Sequence, residues 1–285
     1  MDISKKYKSR VVDYHRELGV DPGIPLGNMS MCRLADGNLL VSVRQFHYIM
    51  EIQSGRHIKY MNRFEKRTHF LAADKDMGFL GRIDCDPLRD YEDPRVMRYG
   101  NTIQVSITDI SNGWNRTQIA SFDFGLENGS MRHLRTTHFR FPGKEKNYVP
   151  VEDGMGVFIS DLRYGSLNIV TTNRPDRKTS QSCSGCMPYR GSTPMLRWRD
   201  GYVALVHRCS RQNYINAFMF FDKSLRQCRI SQEFTVFNNV STVNFCCGML
   251  LEDDKAVLPI CVKDCTTHLF ELPLQDFYKT AREHY

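Results

Sequence analysis

Five times along the chain a turn of Asp, Gly or Asn type leads into an apolar run. The runs are DGNLLVSVR (Asp36 to Arg44), YGNTIQVSITD (Tyr99 to Asp109), EDGMGVFISDLR (Glu152 to Arg163), RDGYVALVHR (Arg199 to Arg208) and EDDKAVLPICVKD (Glu252 to Asp264). β-Branched and aliphatic residues that follow a tight turn read as a strand. About eleven residues ahead of each run stands a small or polar cluster: GNMSM (Gly27 to Met31), EDPRV (Glu92 to Val96), KNYVP (Lys146 to Pro150), GSTPM (Gly191 to Met195) and NFCCGML (Asn244 to Leu250). After each run comes a third strand-like segment: HYIMEI, RTQIASFDF, SLNIVTT, NAFMFFD and THLFELPL. Repeats of roughly fifty residues, each with several strands, are the mark of propeller blades.

The expectation is therefore an all-β, five-bladed propeller with a short helical N-terminal segment. It forms a single domain over residues 1–285, with blades near 20–75, 76–130, 131–180, 181–230 and 231–285. Helix is expected only in the first twenty residues and from Leu274 to Arg282. The alternative is an ordinary β-sandwich. In a propeller the first strand of each blade lines the axis, so the five polar clusters would meet at one funnel mouth. A convergent polar pocket in a β shell is the default ligand site.

Composition narrows the class. The chain is 41% hydrophobic and 25% charged, which suits a globular domain with a large core. No apolar run is long enough to span a membrane as a helix, and the N-terminal residues lack a signal-peptide core, so a cytoplasmic protein with no membrane partner is expected. The ten cysteines then read as mostly reduced, buried thiols. SCSGC (Ser182 to Cys186) holds one C-x-x-C pair, half of what a structural zinc site wants, so no metal is expected. The formal charge of +7 is dispersed among acids, with no basic stripe carrying interleaved aromatics. That argues against nucleic acid and leaves a small anion such as phosphate as a partner.

In order, NMS, LLVSVRQFHY, EDPRV, KNYVP, GSTPML, VALVHR, FFD and GMLLEDDKAVLPICVKD resemble the motifs of one superfamily, over about Gly27 to Leu274. It comprises the five-bladed propeller β-mannoside phosphorylases and β-1,2-mannosidases. The likeness is strongest to the trypanosomatid-type mannosyltransferase-phosphorylases that make and degrade β-1,2-mannan (mannogen). The resemblance implies an inverting enzyme acting on mannose and β-1,2-manno-oligosaccharides, with mannose-1-phosphate or GDP-mannose and inorganic phosphate as further partners, and no cofactor. It puts the general acid at Asp93 and matches Arg44, Lys146, Asn147, Gly191, Ser192, Thr193, Pro194, His207 and Asp264 to motif positions. Departures from the motifs are Met29, Tyr148, Arg208 and Lys263.

The chemistry agrees with one acid. Phosphate is already an anion, so phosphorolysis needs no base to create its nucleophile, whereas an inverting hydrolase needs two separated carboxylates. Glu92 and Asp93 are adjacent, and adjacent side chains of an extended strand face opposite ways. Only Asp93 is then expected at the funnel, with Arg95 on its face and Glu92 as supporting structure. Sugar hydroxyls would be met by Asn28, Ser30, Asn147, Tyr214 and Asp264, with Arg44, Arg95, Lys146 and Ser192 completing the substrate site. Arg190, His207, Arg208 and Lys263 are the expected phosphate ligands, with Arg163 a further candidate cation. Tyr48, Tyr148 or Trp198 would supply an apolar platform or pack in the core. A β-1,2-mannosidase and a non-catalytic glycan-binding propeller are the alternatives.

Overall fold

In a computed structural model the described residues are 1–53, 56–61, 66–85, 91–109, 118–127, 130–139, 147–154, 156–161, 166–182, 189–210, 213–237 and 244–283. Their strands pair into five antiparallel sheets and one separate hairpin. Blade 1 runs Leu26–Arg33, Leu39–Gln45, Arg67–Ala73, Phe79–Ile83. Blade 2 runs Tyr91–Tyr99, Thr102–Asp109, Gln118–Glu127, Ser130–Phe139. Blade 3 runs Val149–Pro150, Val157–Asp161, Ser166–Thr171, Arg174–Ser182. Blades 4 and 5 have interrupted inner strands: Arg190–Gly191 with Leu196–Trp198, and Asn244–Phe245 with Leu250–Glu252. Their second and third strands are Gly201–Ser210 and Asn213–Phe221, and Lys255–Val262 and Thr266–Pro273. This is the five-bladed propeller that the repeat requires.

Both chain ends complete the ring. Ser9–Val12 pairs with Thr266–Pro273 and is the outer strand of blade 5, with Ser9 opposite Phe270 and Val12 opposite Thr267. Arg282–Glu283 extends blade 4 beyond Cys228–Ile230. Within the first twenty residues only Ile3–Lys5 and His15–Leu18 are helical, and after Leu274–Tyr278 the chain returns to a strand. The expected helices are shorter because the free edges of blades 4 and 5 recruit these segments. The SRVV strand brings two β-branched residues to such an edge.

Each contact between neighbouring blades has its own apolar cluster. Phe218, Phe234, Phe270 and Phe277 pack between blades 4 and 5, joined by Ile3. Val149, Met195, Val206 and Met219 lie between blades 3 and 4. Met29, Val41, Leu71 and Leu269 join blades 5 and 1. Leu40, Val96, Val105 and Phe122 join blades 1 and 2. Phe139, Tyr148, Phe158 and Val170 join blades 2 and 3. A cross-blade stitch reinforces this packing: the Val96 N–H donates to Ser30 Oγ at 3.0 Å. Gly191 lets blades 3 and 4 close, because a Cβ there would collide with the Val149 side chain.

The hairpin Tyr48–Gln53/Arg56–Met61 is inserted between the second and third strands of blade 1. Phe46, Tyr48 and Cys261 form a small cluster at its base. Among the described residues no helix is long and apolar enough to cross a membrane.

Phe218 is fully buried and meets the rings of Phe220, Phe234 and Phe277. Phe218→Ala should cost about 3–5 kcal/mol in chemical denaturation. Val11→Ala, on the exposed face of the closing strand, should cost about 0.5 kcal/mol or less.

Candidate active site

The first residues of the inner strands meet at one end of the axis, and in blades 1 and 2 a bulge aims side chains there. In blade 1 Gly27 is opposite Arg44 while Ser30 is opposite Ser42, so two residues, Asn28 and Met29, oppose one. In blade 2 Glu92 is opposite Thr108 and Arg95 opposite Ser106, which puts Asp93 and Pro94 in the same kind of bulge. Asn28 has φ +44° and Asp93 φ +53°; Asn147, just ahead of the inner strand of blade 3, has φ +67°. Asn and Asp tolerate this left-handed region better than other non-glycine residues. Such bulges re-aim side chains next to sites.

Asp93 is the centre of the resulting network. Its Oδ1 accepts from Asn28 Nδ2 at 2.7 Å and from Arg44 Nη1 at 2.9 Å. The other terminal nitrogen of Arg44 donates to Glu92 Oε1 at 2.6 Å. All three charged side chains are buried, and the guanidinium lies 4.4 Å over the Phe46 ring. The opposite-face reading of Glu92 and Asp93 therefore fails. The left-handed residue breaks the strand alternation, and one guanidinium grips both carboxylates.

Arg95 does not hold the Asp93 carboxylate. It is fully buried and donates to the Ser192 carbonyl (2.7 Å), the Asp93 carbonyl (3.2 Å) and Asn147 Oδ1 (3.2 Å). It thereby links blades 2, 3 and 4. Burial pulls its pKa down, opposed by the charge of Asp93. On blade 4, Ser192 Oγ and His207 Nδ1 lie 2.7 Å apart. The His207 ring stacks on Tyr214 with centroids 4.9 Å apart and meets Phe245 edge-on. The Tyr214 hydroxyl is pushed up to about 12 by burial and by the negative charges of Asp93 and Asp264, so it stays protonated at neutral pH. Asp264, with φ +54°, accepts from the Tyr48 hydroxyl at 2.9 Å.

Asn28, Arg44, Asp93, Arg95, Asn147, Ser192, His207, Tyr214 and Asp264 are thus gathered at this end. The other expected site residues stand differently. Ser30 is the stitch between blades 1 and 2. Arg208, next to His207, faces the other way and forks onto Glu233 at 2.5 and 2.7 Å, with Tyr189 on the same carboxylate. Arg190 is exposed, and so is Lys263 beside Asp264. Trp198 and Tyr148 pack in blade contacts. Lys146, Arg163 and the C-x-x-C pair lie outside the described residues. Sequence reasoning missed Phe245, whose only signal was its place in the fifth polar cluster.

Two buried polar atoms beside Asp93, Asn28 Oδ1 and Arg44 Nε, have no partner among the described residues. One is an acceptor and one a donor, as a sugar hydroxyl would require. Among the described residues no cluster of His, Cys, Asp or Glu is arranged to hold a metal.

No protein-family model and no curated protein matches the sequence. Solved structures of the same propeller fold do. A β-1,2-mannobiose phosphorylase from Listeria innocua, in complex with β-1,2-mannobiose, matches with a TM-score of 0.61 at 12% identity over 96% of this chain and 99% of that one. MPT-4, a mannose phosphorylase from Leishmania mexicana in complex with a phosphate ion, gives 0.56 at 14% identity over 90% and 86%. A GH43_1 enzyme from Xanthomonas citri complexed with xylotriose gives 0.56 at 10% over 94% and 91%.

Arg44→Ala would leave two buried carboxylates without their cation. It should cost about 3–5 kcal/mol in urea denaturation, against about 1 kcal/mol for Tyr48→Phe, which removes one neutral donor from Asp264.

Proposed function

We propose that the protein is an inverting mannosyltransferase-phosphorylase. It makes and phosphorolyses β-1,2-linked mannose oligosaccharides with mannose-1-phosphate, GDP-mannose or both as donor. The observation that carries this reading is Asp93, fixed by Asn28 and Arg44 where the inner strands converge. The motif order supports it, as do the phosphorylases among the structures that share the fold.

In phosphorolysis a phosphate oxygen attacks the anomeric carbon of the terminal mannose, and the glycosidic C–O bond breaks. The departing oxygen takes a proton from Asp93, directly or through a sugar hydroxyl. In synthesis the steps reverse, and Asp93 accepts the proton of the acceptor hydroxyl. Asn28 and Arg44 fix the orientation of the carboxylate, which is what proton transfer at a set distance demands. Asn28 Oδ1, Asn147, Tyr214 and Asp264 offer partners for sugar hydroxyls, and Phe245 with the His207–Tyr214 stack offers an apolar wall. Phosphate would be met by His207, Arg190 and Lys263. Arg208 has no part in this, since it faces away from His207 and pairs with Glu233.

A second reading rests on Asp264. It reaches the same end of the axis as Asp93, and both charges act on Tyr214. Two separated carboxylates are what an inverting β-1,2-mannosidase uses.

Incubating the protein with β-1,2-mannobiose, with and without phosphate, separates the readings. A phosphorylase releases mannose-1-phosphate and loses its turnover without phosphate; a hydrolase releases mannose at an equal rate in both. Asp93→Asn should lower kcat by about 10²–10⁴. Lys263→Glu should raise the KM for phosphate with little change in kcat, and an unchanged KM removes Lys263 from the phosphate site.

A further inference from the structure

The other end of the axis is built differently. There residues at or just beyond the inner strands of all five blades line an open cavity of about 570 Å³, a size typical of small-molecule sites. It lies where these strands end, at Met31–Arg33, Met97–Arg98, Glu152, Leu196–Arg197 and Leu250–Leu251, whereas Asn28, Asp93 and Asn147 stand where they begin. Its floor is apolar and rich in thioethers: Met31, Met97 and Met249 are all buried. Unbranched methionines adapt to varied apolar shapes.

The charges at the rim are unequal in what they have free. Arg33 donates to Glu252 at 2.5 Å and to the Gly37 carbonyl. Arg197 pairs with Asp153, and its backbone N–H donates to Glu152 at 2.5 Å. Burial raises the pKa of Glu152, opposed by the Arg197 N–H it accepts from. Arg98 differs: only its Nε is engaged, by the Gly100 carbonyl at 2.6 Å, and it forms no ion pair among the described residues. A half-buried guanidinium with two terminal nitrogens available, over a thioether floor, matches a ligand with an anionic head and an apolar body.

We propose that this cavity is a second binding site, separate from the Asp93 centre, for a small amphipathic anion: the apolar body rests on the methionine floor and a carboxylate, sulfonate or phosphate head pairs with Arg98. Nothing in it depends on the catalytic reading. The probes are 1-anilinonaphthalene-8-sulfonate and the neutral N-phenyl-1-naphthylamine, titrated by fluorescence against the full chain. The anionic dye should bind saturably at one site and at least about tenfold more tightly than the neutral one. Arg98→Gln should weaken the anionic dye about tenfold and leave the neutral one within about twofold. Filling the floor with Met249→Trp, or with Leu251→Trp at the half-buried rim if the first variant does not fold, should abolish both. Asp93→Asn should change neither. Equal affinities in wild type, Arg98→Gln and a folded Trp variant would overturn the site. So would loss of dye binding in Asp93→Asn, which would place the dye at the other end of the axis.

Discussion

Arg44 lies buried between blades 1 and 2 and donates to Glu92 at 2.6 Å and to Asp93 at 2.9 Å. Taking three charges out of water costs several kcal/mol per ion, and only close, well-formed pairing offsets it. The arrangement is therefore a demanding one, and the surroundings show how it is met. The bulge at Asp93 turns its carboxylate onto the same guanidinium as Glu92. Asn28, from the facing bulge, adds a second donor to Asp93. Arg95 ties the backbone of Asp93 to Ser192 and Asn147. The site is held by four blades, so its geometry depends on the ring being closed. The N-terminal strand on blade 5 and the Phe218–Phe277 packing between blades 4 and 5 thus serve the site at a distance.

The two ends of the axis divide their labour through one strand period. Within about five residues the inner strands of blades 1, 2 and 3 pass from a polar, left-handed start to an apolar continuation. At the start the backbone is bent and the side chains are hydrogen-bonded to other blades. At the finish methionine and leucine fill the space, leaving a cavity with Arg98 at its rim. An apolar end suits packing and amphipathic ligands; a polar end with Asn28 Oδ1 and Arg44 Nε unpaired suits hydroxyls.

Much of this was legible in the sequence. The spacing of polar cluster and apolar run is a direct imprint of inner and second strands, so both the propeller and the meeting of Asn28, Asp93, Asn147 and Ser192 followed from it. What was not legible depended on dihedrals and distant partners. Alternation predicted opposite faces for Glu92 and Asp93, and a single positive φ reversed that. For His207 and Arg208 no bulge intervenes, alternation holds, and only His207 faces the axis. The Glu233 that holds Arg208 lies 25 residues away in no recognisable motif. The SRVV strand is four residues long and gains its strand character from the edge it meets, not from its own pattern.

The most direct test of the central claim is a crystal structure of the Asp93→Asn protein grown with β-1,2-mannobiose. The expected result is a sugar seated at the starts of the inner strands, with hydroxyls on Asn28 Oδ1 and Arg44 Nε and a ring against Phe245. Mannobiose bound elsewhere, with Asn28, Arg44 and Glu92 closed around residue 93 and no room for a hydroxyl, would contradict it.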